Sequence, residues 1–315
     1  MDNSSKLGPS PVDNVDCQLP AISLKRDYKF LDLSPSSRRH RTILKGRLAS
    51  CAAAWIDPTT MAHSRHTTKV FDSDLQELAR VVAEMGGLAE RQIAEAIEAL
   101  AMRDSGRAQR IIAADVAIDV MQRNIEERAV ETIARRQPVA GDLRQIIGIL
   151  RIANEIERIG DLAKNIGKRI VAMNGEYMPR RSMRGVNHMA ALMLTQLRDV
   201  LDSFACRDVA KAVEVWTRDQ DVDRLCTSLS QEFLAYMMDK SVAMSFGAHL
   251  MFCAKNLERM GDHATNIAEA VHYMVKGETL LRERPKADFT SMLTVAMGRD
   301  ITALAPVCTE SSVLS

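Results

Sequence analysis

The sequence predicts an all-α protein made of two tandem, internally duplicated three-helix bundles. Aromatic residues make up only 4% of the 315 residues, Met reaches 18, and no proline occurs between Arg180 and Arg284. This composition favours helix over sheet. Apolar residues recur every three or four positions, and a long segment of the first half is repeated in the second. We therefore expect no sheet and one helical unit in each half.

The N-terminal stretch, residues 1–60, does not carry the helical period. It contains five of the nine prolines, and nine Lys or Arg against six Asp and no Glu. Low apolar periodicity with clustered charge is typical of disordered chain, so we predict a disordered N-terminal extension. Met61 is an alternative natural start, because the helical pattern begins only after it.

The first predicted bundle spans residues 61–177 and contains three helices. Helix one covers about 72–103, where apolar residues keep helical spacing until Asp104-Ser-Gly106 interrupts them. Helix two continues to Pro138, since proline fits only the first turn of a helix. Helix three then runs to the stop signal at Asn174-Gly175.

The second predicted bundle spans residues 178–281 and repeats this plan. Its three helices are expected at about 182–205, 208–238 and 243–277. Beyond them the apolar period fades into a tail that contains Pro, Ser and Thr, which we assign to residues 282–315.

The repeated segment runs from Ala153 to Ile166 and recurs as Ala254 to Ile267, a shift of 101. Both copies contain a Glu-Arg-x-Gly-Asp core. A glycine inside a helix costs about 1 kcal/mol relative to alanine, and the paired acids repel each other. The repetition of such costly residues indicates a chemical role rather than core packing alone.

Each half is predicted to place two pairs of carboxylates on neighbouring antiparallel helices, beside the core on the bundle surface, because residues four apart share one helix face. Like charges at this spacing cost a helix about 0.2–0.5 kcal/mol per pair, a cost that a bound cation would remove. Carboxylate oxygens suit magnesium, manganese, calcium or iron, and zinc also accepts them. The candidate metal ligands are Asp115, Asp119, Glu157 and Asp161 in the first half and Asp219, Asp223, Glu258 and Asp262 in the second.

Less specific interpretations of these residues stay open. A single acidic pair is common on solvated helices, and Glu127 with Glu131 is an example in this chain. Gly160 and Gly261 are equally well explained by close helix packing. A capping or surface role is expected for His263, since its counterpart in the first half is a leucine.

Several classes of function are disfavoured. A net charge of +1 gives no reason to expect nucleic acid as a partner. The six cysteines form no C-x-x-C pair, which suggests neither a zinc knuckle nor a disulfide framework and favours a cytoplasmic location. The longest apolar run is too short to span a membrane, so membrane association is expected only peripherally through partners. No glycine-rich phosphate loop or nucleophile motif is present, and we expect no catalytic residues.

At these residues the sequence resembles the PhoU family, the phosphate-transport accessory and regulatory proteins of bacteria. The resemblance extends from about Met61 to Ser291. It is carried by Glu84-Met-Gly-Gly-Leu-Ala-Glu90, Arg136-Gln-Pro-Val139 and both copies of the repeated segment. It implies homodimerisation and multinuclear metal clusters on the eight carboxylates named above, with iron or zinc first and magnesium or manganese as alternatives.

The resemblance also implies a function, which is to restrain phosphate uptake and the phosphate-starvation response. The expected partners are the ATPase subunit of the phosphate ABC transporter and a phosphate-sensing histidine kinase. The sequence thus predicts a non-enzymatic, metal-binding adaptor. Two alternatives remain: a multinuclear metal-dependent phosphohydrolase, because clustered metals activate water, and a purely structural helical scaffold.

Overall fold

A computed structural model of the chain describes residues 67–173, 180–239, 244–280, 286–287 and 289–290. Within these ranges the chain is helical and contains no strand, which confirms the predicted all-α fold. The helices are α1 (Thr67–Met102), α2 (Ser105–Ala114), α3 (Val116–Arg136), α4 (Gly141–Ala172), α5 (Arg180–Cys206), α6 (Val209–Asp239) and α7 (Met244–Lys276). The predicted disordered stretch 1–60 and most of the predicted tail lie outside the described residues.

The second predicted helix of the first half is divided at Asp115, which contradicts the single helix expected there. Asp115 keeps helical dihedrals, with φ −58° and ψ −35°. However, the amide of Ile118 donates to the Asp115 carbonyl at 2.9 Å, a three-residue spacing that tightens the helix locally. The equivalent residue of the second half, Asp219, lies inside the uninterrupted α6.

The duplication extends to the turns between the helices. Asp104 caps α2 by accepting a hydrogen bond from the Arg107 amide at 2.8 Å. Asp208 does the same at the start of α6, where it accepts from the Lys211 amide at 3.0 Å. In both turns the residue before the cap, Arg103 or Arg207, has positive φ. These equivalent turns orient the second helix of each half against the first.

The two halves share one continuous apolar core. The last helix of each half, α4 and α7, packs extensively against the other, and α1 packs against α5. Buried side chains of α4, such as Ile152 and Ile156, belong to the same cluster as Leu257 and Ala264 of α7. The acidic segments of both halves therefore lie on helices that are fixed to each other.

His263 of α7 bridges the halves rather than capping a helix. Its Nδ1 lies 2.6 Å from Glu155 Oε2 on α4, and Asn266 Nδ2 donates to the same oxygen at 3.1 Å. Burial would raise the pKa of Glu155, but the hydrogen bonds from His263 and Asn266 outweigh it and hold this pKa below its ordinary value. This contact joins the two repeated segments directly.

Two further findings concern the cysteines and the membrane. Cys226 and Cys253 are buried thiols that form no disulfide. No helix in the described ranges combines the length and the apolar character that crossing a bilayer requires.

Candidate metal centre

Each half contains a buried aspartate that is held by a buried glutamine. Asp115 and Asp219 are each 1% exposed. Gln92 Nε2 of α1 donates to Asp115 Oδ1 at 3.2 Å, and Gln196 Nε2 of α5 donates to Asp219 Oδ1 at 2.8 Å. Sequence reasoning missed both glutamines. The available signal was their spacing, since the shift of 104 that aligns the two aspartates also aligns the two glutamines.

The repeated glycines lie directly above these Asp–Gln pairs. A Cβ atom on Gly160 would be 3.4 Å from Asp115 Oδ1 and 3.4 Å from Gln92 Oε1. On Gly261 it would be 2.7 Å from Asp219 Oδ1 and 3.5 Å from Gln196 Oε1. This geometry supports the close-packing interpretation of both glycines. The glycines leave room for the polar pair beneath them.

The first acidic cluster consists of Asp115 at the α2–α3 break, Asp119 in the first turn of α3, and Glu157 and Asp161 of α4. Burial raises the pKa of Asp119, and the charges of Asp115 and Asp161 raise it further against the opposing effect of Lys164. Burial also raises the pKa of Glu157, with additional contributions from Asp161, Asp119 and Asp115. Asp119 and Glu157 thus lie close enough to the other carboxylates for their own ionisation to be disfavoured.

Lys164 of α4 supplies positive charge within this cluster. Its Nζ donates to Asp115 Oδ2 at 2.6 Å and to Asp161 Oδ1 at 3.0 Å. These two hydrogen bonds hold the pKa of Lys164 above its ordinary value. An ammonium group therefore lies among the predicted metal ligands. The sequence pattern did not predict this position for Lys164.

The second acidic cluster consists of Asp219, Asp223, Glu258 and Asp262, on α6 and α7. The residue equivalent to Lys164 is Thr265, whose hydroxyl donates to the Asp262 carbonyl at 2.7 Å. Positive charge comes instead from Lys255, 2.9 Å from Glu258 Oε1, and from Lys286, 3.8 Å from Asp262 Oδ1. The two clusters have equivalent carboxylates, but different lysines supply the positive charge beside them.

The predicted position of the carboxylates on the bundle surface is wrong for half of them. For Asp115 and Asp219 the physical reason is the close helix approach that Gly160 and Gly261 allow. Asp223 is in contact with Ala287, which lies beyond α7. Partial exposure is retained by Asp119, Glu157, Asp161 and Asp262. The buried members are Asp115 at 1%, Asp219 at 1%, Asp223 at 2% and Glu258 at 4% exposure.

The donor chemistry of the clusters fits a hard cation. Carboxylate and amide oxygens are suitable ligands, and the Oε1 atoms of Gln92 and Gln196 are buried without a hydrogen-bond partner. Among the described residues, however, no three His, Cys, Asp or Glu side chains are arranged to hold an ion. In the first cluster, an ion would have to displace the Lys164 ammonium from Asp115.

Comparison with known proteins shows strong similarities over both halves. A family model described as "PhoU domain" matches residues 82–170 and again 186–271. The phosphate-specific transport system accessory protein PhoU homolog of Rhizobium meliloti (strain 1021) is 48% identical over 233 residues, which cover 74% of this chain and 98% of that protein. The homolog of the same name from Caulobacter vibrioides (strain NA1000 / CB15N) is 42% identical over 228 residues, covering 72% and 99%.

Solved structures show the same similarity in three dimensions. The crystal structure of PhoU from Pseudomonas aeruginosa matches with a TM-score of 0.64 at 38% identity, covering 66% of this chain and all of that one. The phosphate transport system regulatory protein PhoU from Streptococcus pneumoniae matches with a TM-score of 0.63 at 29% identity, covering 67% and 99%.

Proposed function

Because this chain belongs to the PhoU family, we propose that it is a negative regulator of phosphate uptake and of the phosphate-starvation response. Its relatives are named accessory proteins of a phosphate-specific transport system. The chain carries the family domain twice and spans nearly the whole length of these relatives. This match supports the same regulatory role here.

The regulator acts as a non-enzymatic adaptor in this proposal. In the cytoplasm, as a homodimer, it contacts the ATPase subunit of the phosphate ABC transporter and the phosphate-sensing histidine kinase. A feature beside the first acidic cluster supports partner binding: Val116 and Val120, one turn apart on α3, are 58% and 40% exposed. Apolar side chains next to charged ones are typical of the core and rim of a protein interface.

Metal binding at the two acidic clusters is the second part of the proposal. The observation that supports metal binding is the duplicated arrangement of glycine, aspartate and buried glutamine. In both halves the glutamine Oε1 atom has no hydrogen-bond partner. Asp115, Asp119, Glu157 and Asp161 would hold ions in the first cluster, and Asp219, Asp223, Glu258 and Asp262 in the second. Iron or zinc is expected, with magnesium or manganese as alternatives. Bound ions would neutralise the acidic faces that partners contact.

Affinity purification from cells grown in high and low phosphate tests the adaptor role. Wild type should recover the transporter ATPase in a phosphate-dependent way, and Glu157→Ala/Asp161→Ala should lose that dependence. The matched control is Glu127→Ala/Glu131→Ala, an exposed acidic pair at the same spacing on α3, which should behave as wild type. An unchanged partner set in the cluster variant would contradict the proposal.

Metal analysis of the same purified proteins tests the second part separately. Wild type and the control should carry the same metal content, and the cluster variant should carry less. If wild type contains no metal and melts at the same temperature with and without chelator, the structural scaffold becomes the better explanation. Metal-dependent phosphatase turnover that vanishes in Asp161→Ala would instead support the hydrolase alternative.

A further inference from the structure

A short segment beyond α7 contacts the second acidic cluster. The amide of Ala287 donates to Asp223 Oδ2 at 2.9 Å, and Ala287 itself is buried at 7% exposure. Lys286 Nζ lies 3.8 Å from Asp262 Oδ1. The segment therefore reaches carboxylates on both helices of the cluster, one through its backbone and one through a charged side chain.

The backbone contacts follow a regular register along α6. The amide of Phe289 donates to Thr227 Oγ1 at 3.2 Å, two residues after the Ala287 contact. Asp223 and Thr227 are four residues apart, about 6 Å along a helix, and two residues of extended chain span about 6.5 Å. The amides of Ala287 and Phe289 therefore meet acceptors on successive turns of α6.

The first cluster does not offer the same receptor. The residue equivalent to Thr227 is Arg123, whose positive charge already acts on Asp119. Lys164 also lies between Asp115 and Asp161. A segment that carries a lysine would meet like charge there, whereas Thr265 leaves the corresponding position of the second cluster uncharged. These residue differences therefore favour binding of the segment at the second cluster over the first.

We propose that the second acidic cluster is a binding site for a lysine-bearing chain segment and that Lys286, Ala287 and Phe289 of this chain occupy it. A divalent cation then binds the second cluster only when the segment leaves, because both require Asp223 and Asp262. The competition rests on the metal binding of the proposed function, whereas the docking of the segment does not. The first cluster is free of this competitor, so the two clusters differ in cation affinity.

Amide hydrogen exchange of the full chain, measured by NMR without metal, tests the docking. The amides of Ala287 and Phe289 should exchange at least tenfold more slowly than in unstructured chain. Thr227→Val should remove the protection of Phe289, and Asp223→Asn should weaken that of Ala287. The matched control is Thr217→Val, an exposed threonine of α6 whose hydroxyl donates only locally, to the Val213 carbonyl. Unprotected amides in wild type would overturn the proposal.

Manganese tests the competition. Saturating MnCl2 during the exchange period should release both amides from protection, which NMR measures after the paramagnetic ion is removed with EDTA. Lys286→Ala/Ala287→Pro, which removes the ammonium and the amide donor, should bind Mn²⁺ at the second cluster about tenfold more tightly by calorimetry, and adding Asp223→Asn should abolish this gain. Equal Mn²⁺ affinity in wild type and the double variant would overturn the competition while leaving metal binding intact. If neither cluster binds Mn²⁺ in any variant, the competition fails, and the protected amides still decide docking.

Discussion

The two acidic clusters are built on the same plan but are neutralised in different ways. Each has four carboxylates, a glycine and a buried glutamine that holds an aspartate. In the first cluster the ammonium of Lys164 comes from the same helix as two of the acids. In the second cluster a threonine takes that position, and Lys286 approaches from a segment outside the duplicated helices. Duplication has therefore kept the oxygen donors and changed the source of positive charge.

This difference separates a self-contained cluster from one that depends on a distant segment. Asp119 of the first cluster is half-buried, whereas its equivalent Asp223 is 2% exposed and accepts the Ala287 amide. Removing the Lys164 ammonium should consequently destabilise the first cluster strongly, while substitutions of Lys286 and Ala287 should act weakly on stability and strongly on access to the second.

The largest effect is expected for Lys164→Ala. Removing one partner of a buried ion pair typically costs about 3 kcal/mol, and Asp115, which is 1% exposed, would lose the ammonium that donates to it at 2.6 Å. Chemical denaturation in metal-free buffer should show this loss. Lys168→Ala, one turn further along α4 on an exposed position, is the matched control and should change stability by less than about 0.5 kcal/mol.

The corresponding change in the second cluster sharpens the contrast. Lys286 is 62% exposed and 3.8 Å from Asp262, so Lys286→Ala should cost less than about 0.5 kcal/mol. Equal losses in the two lysine variants would contradict the distinction between the clusters.

The fold could be predicted because its information lies in local periodicity. In α4, five buried isoleucines keep spacings of three and four, so the apolar stripe alone defines that helix: Ile146, Ile149, Ile152, Ile156 and Ile159. The break at Asp115 could not be predicted, since this residue keeps helical dihedrals and the interruption depends on its tertiary contacts.

The carboxylates of the site could be predicted from their repetition, but their environment could not. Gln92 looks like an ordinary polar residue of α1, and only packing against α2 brings its amide to Asp115. Lys164 likewise looks like a surface lysine until α4 meets the α2–α3 break. In the second cluster, Asp223 is covered by Ala287, which lies in a part of the chain beyond the repeated helices.

The next largest effect is expected for Gly261→Ala. Its Cβ would lie 2.7 Å from Asp219 Oδ1, an oxygen that Gln196 holds in place. Overpacking of this kind costs about 2 kcal/mol. In Gly160→Ala the nearest atom is Ile118 Cδ1 at 2.9 Å, the far end of a flexible side chain. We expect a loss below about 1 kcal/mol there, since the added helix propensity offsets part of the strain.

Thermal melting of both alanine variants would measure this difference. Gly106→Ala is the control, because a Cβ on this exposed glycine meets no atom closer than 3.4 Å, and it should leave the melting temperature unchanged or raise it. A larger loss of melting temperature in Gly160→Ala than in Gly261→Ala would show that the second Asp–Gln pair shifts to accommodate a methyl group more easily than its geometry indicates.

A smaller loss is expected when the glutamines are removed. Gln196→Ala takes away a hydrogen bond of 2.8 Å to the buried carboxylate of Asp219, and hydrogen bonds to charged groups contribute about 1.5 kcal/mol or more. Gln92→Ala should cost less, about 1 kcal/mol, because its bond to Asp115 is longer at 3.2 Å. Urea denaturation would rank the two.

The control for the glutamine variants is Gln122→Ala. Gln122 donates to Glu126 at 2.6 Å on the exposed face of α3, so its removal should change stability by less than about 0.5 kcal/mol. If it cost as much as Gln196→Ala, burial would not be the reason that the Asp–Gln pairs matter.

The smallest effect is a gain in stability, expected for Glu157→Gln in metal-free buffer. The pKa of Glu157 is raised by burial and by the neighbouring carboxylates, so its ionised form is disfavoured in the folded state. Wild type therefore loses stability relative to the variant as the pH rises from the unfolded-state pKa, about 4.3, through the raised folded-state value. At neutral pH the gain should be about 0.3 kcal/mol, and it should disappear in acid.

The equivalent change in the second cluster should have the opposite sign. Glu258 is 4% exposed and lies 2.9 Å from the Lys255 ammonium, so Glu258→Gln removes a favourable ion pair rather than a repulsion. Denaturation at pH 7 and at pH 4 would measure both variants. A gain in both would mean that the acids of the second cluster repel one another as strongly as those of the first, and that its lysines do not neutralise them.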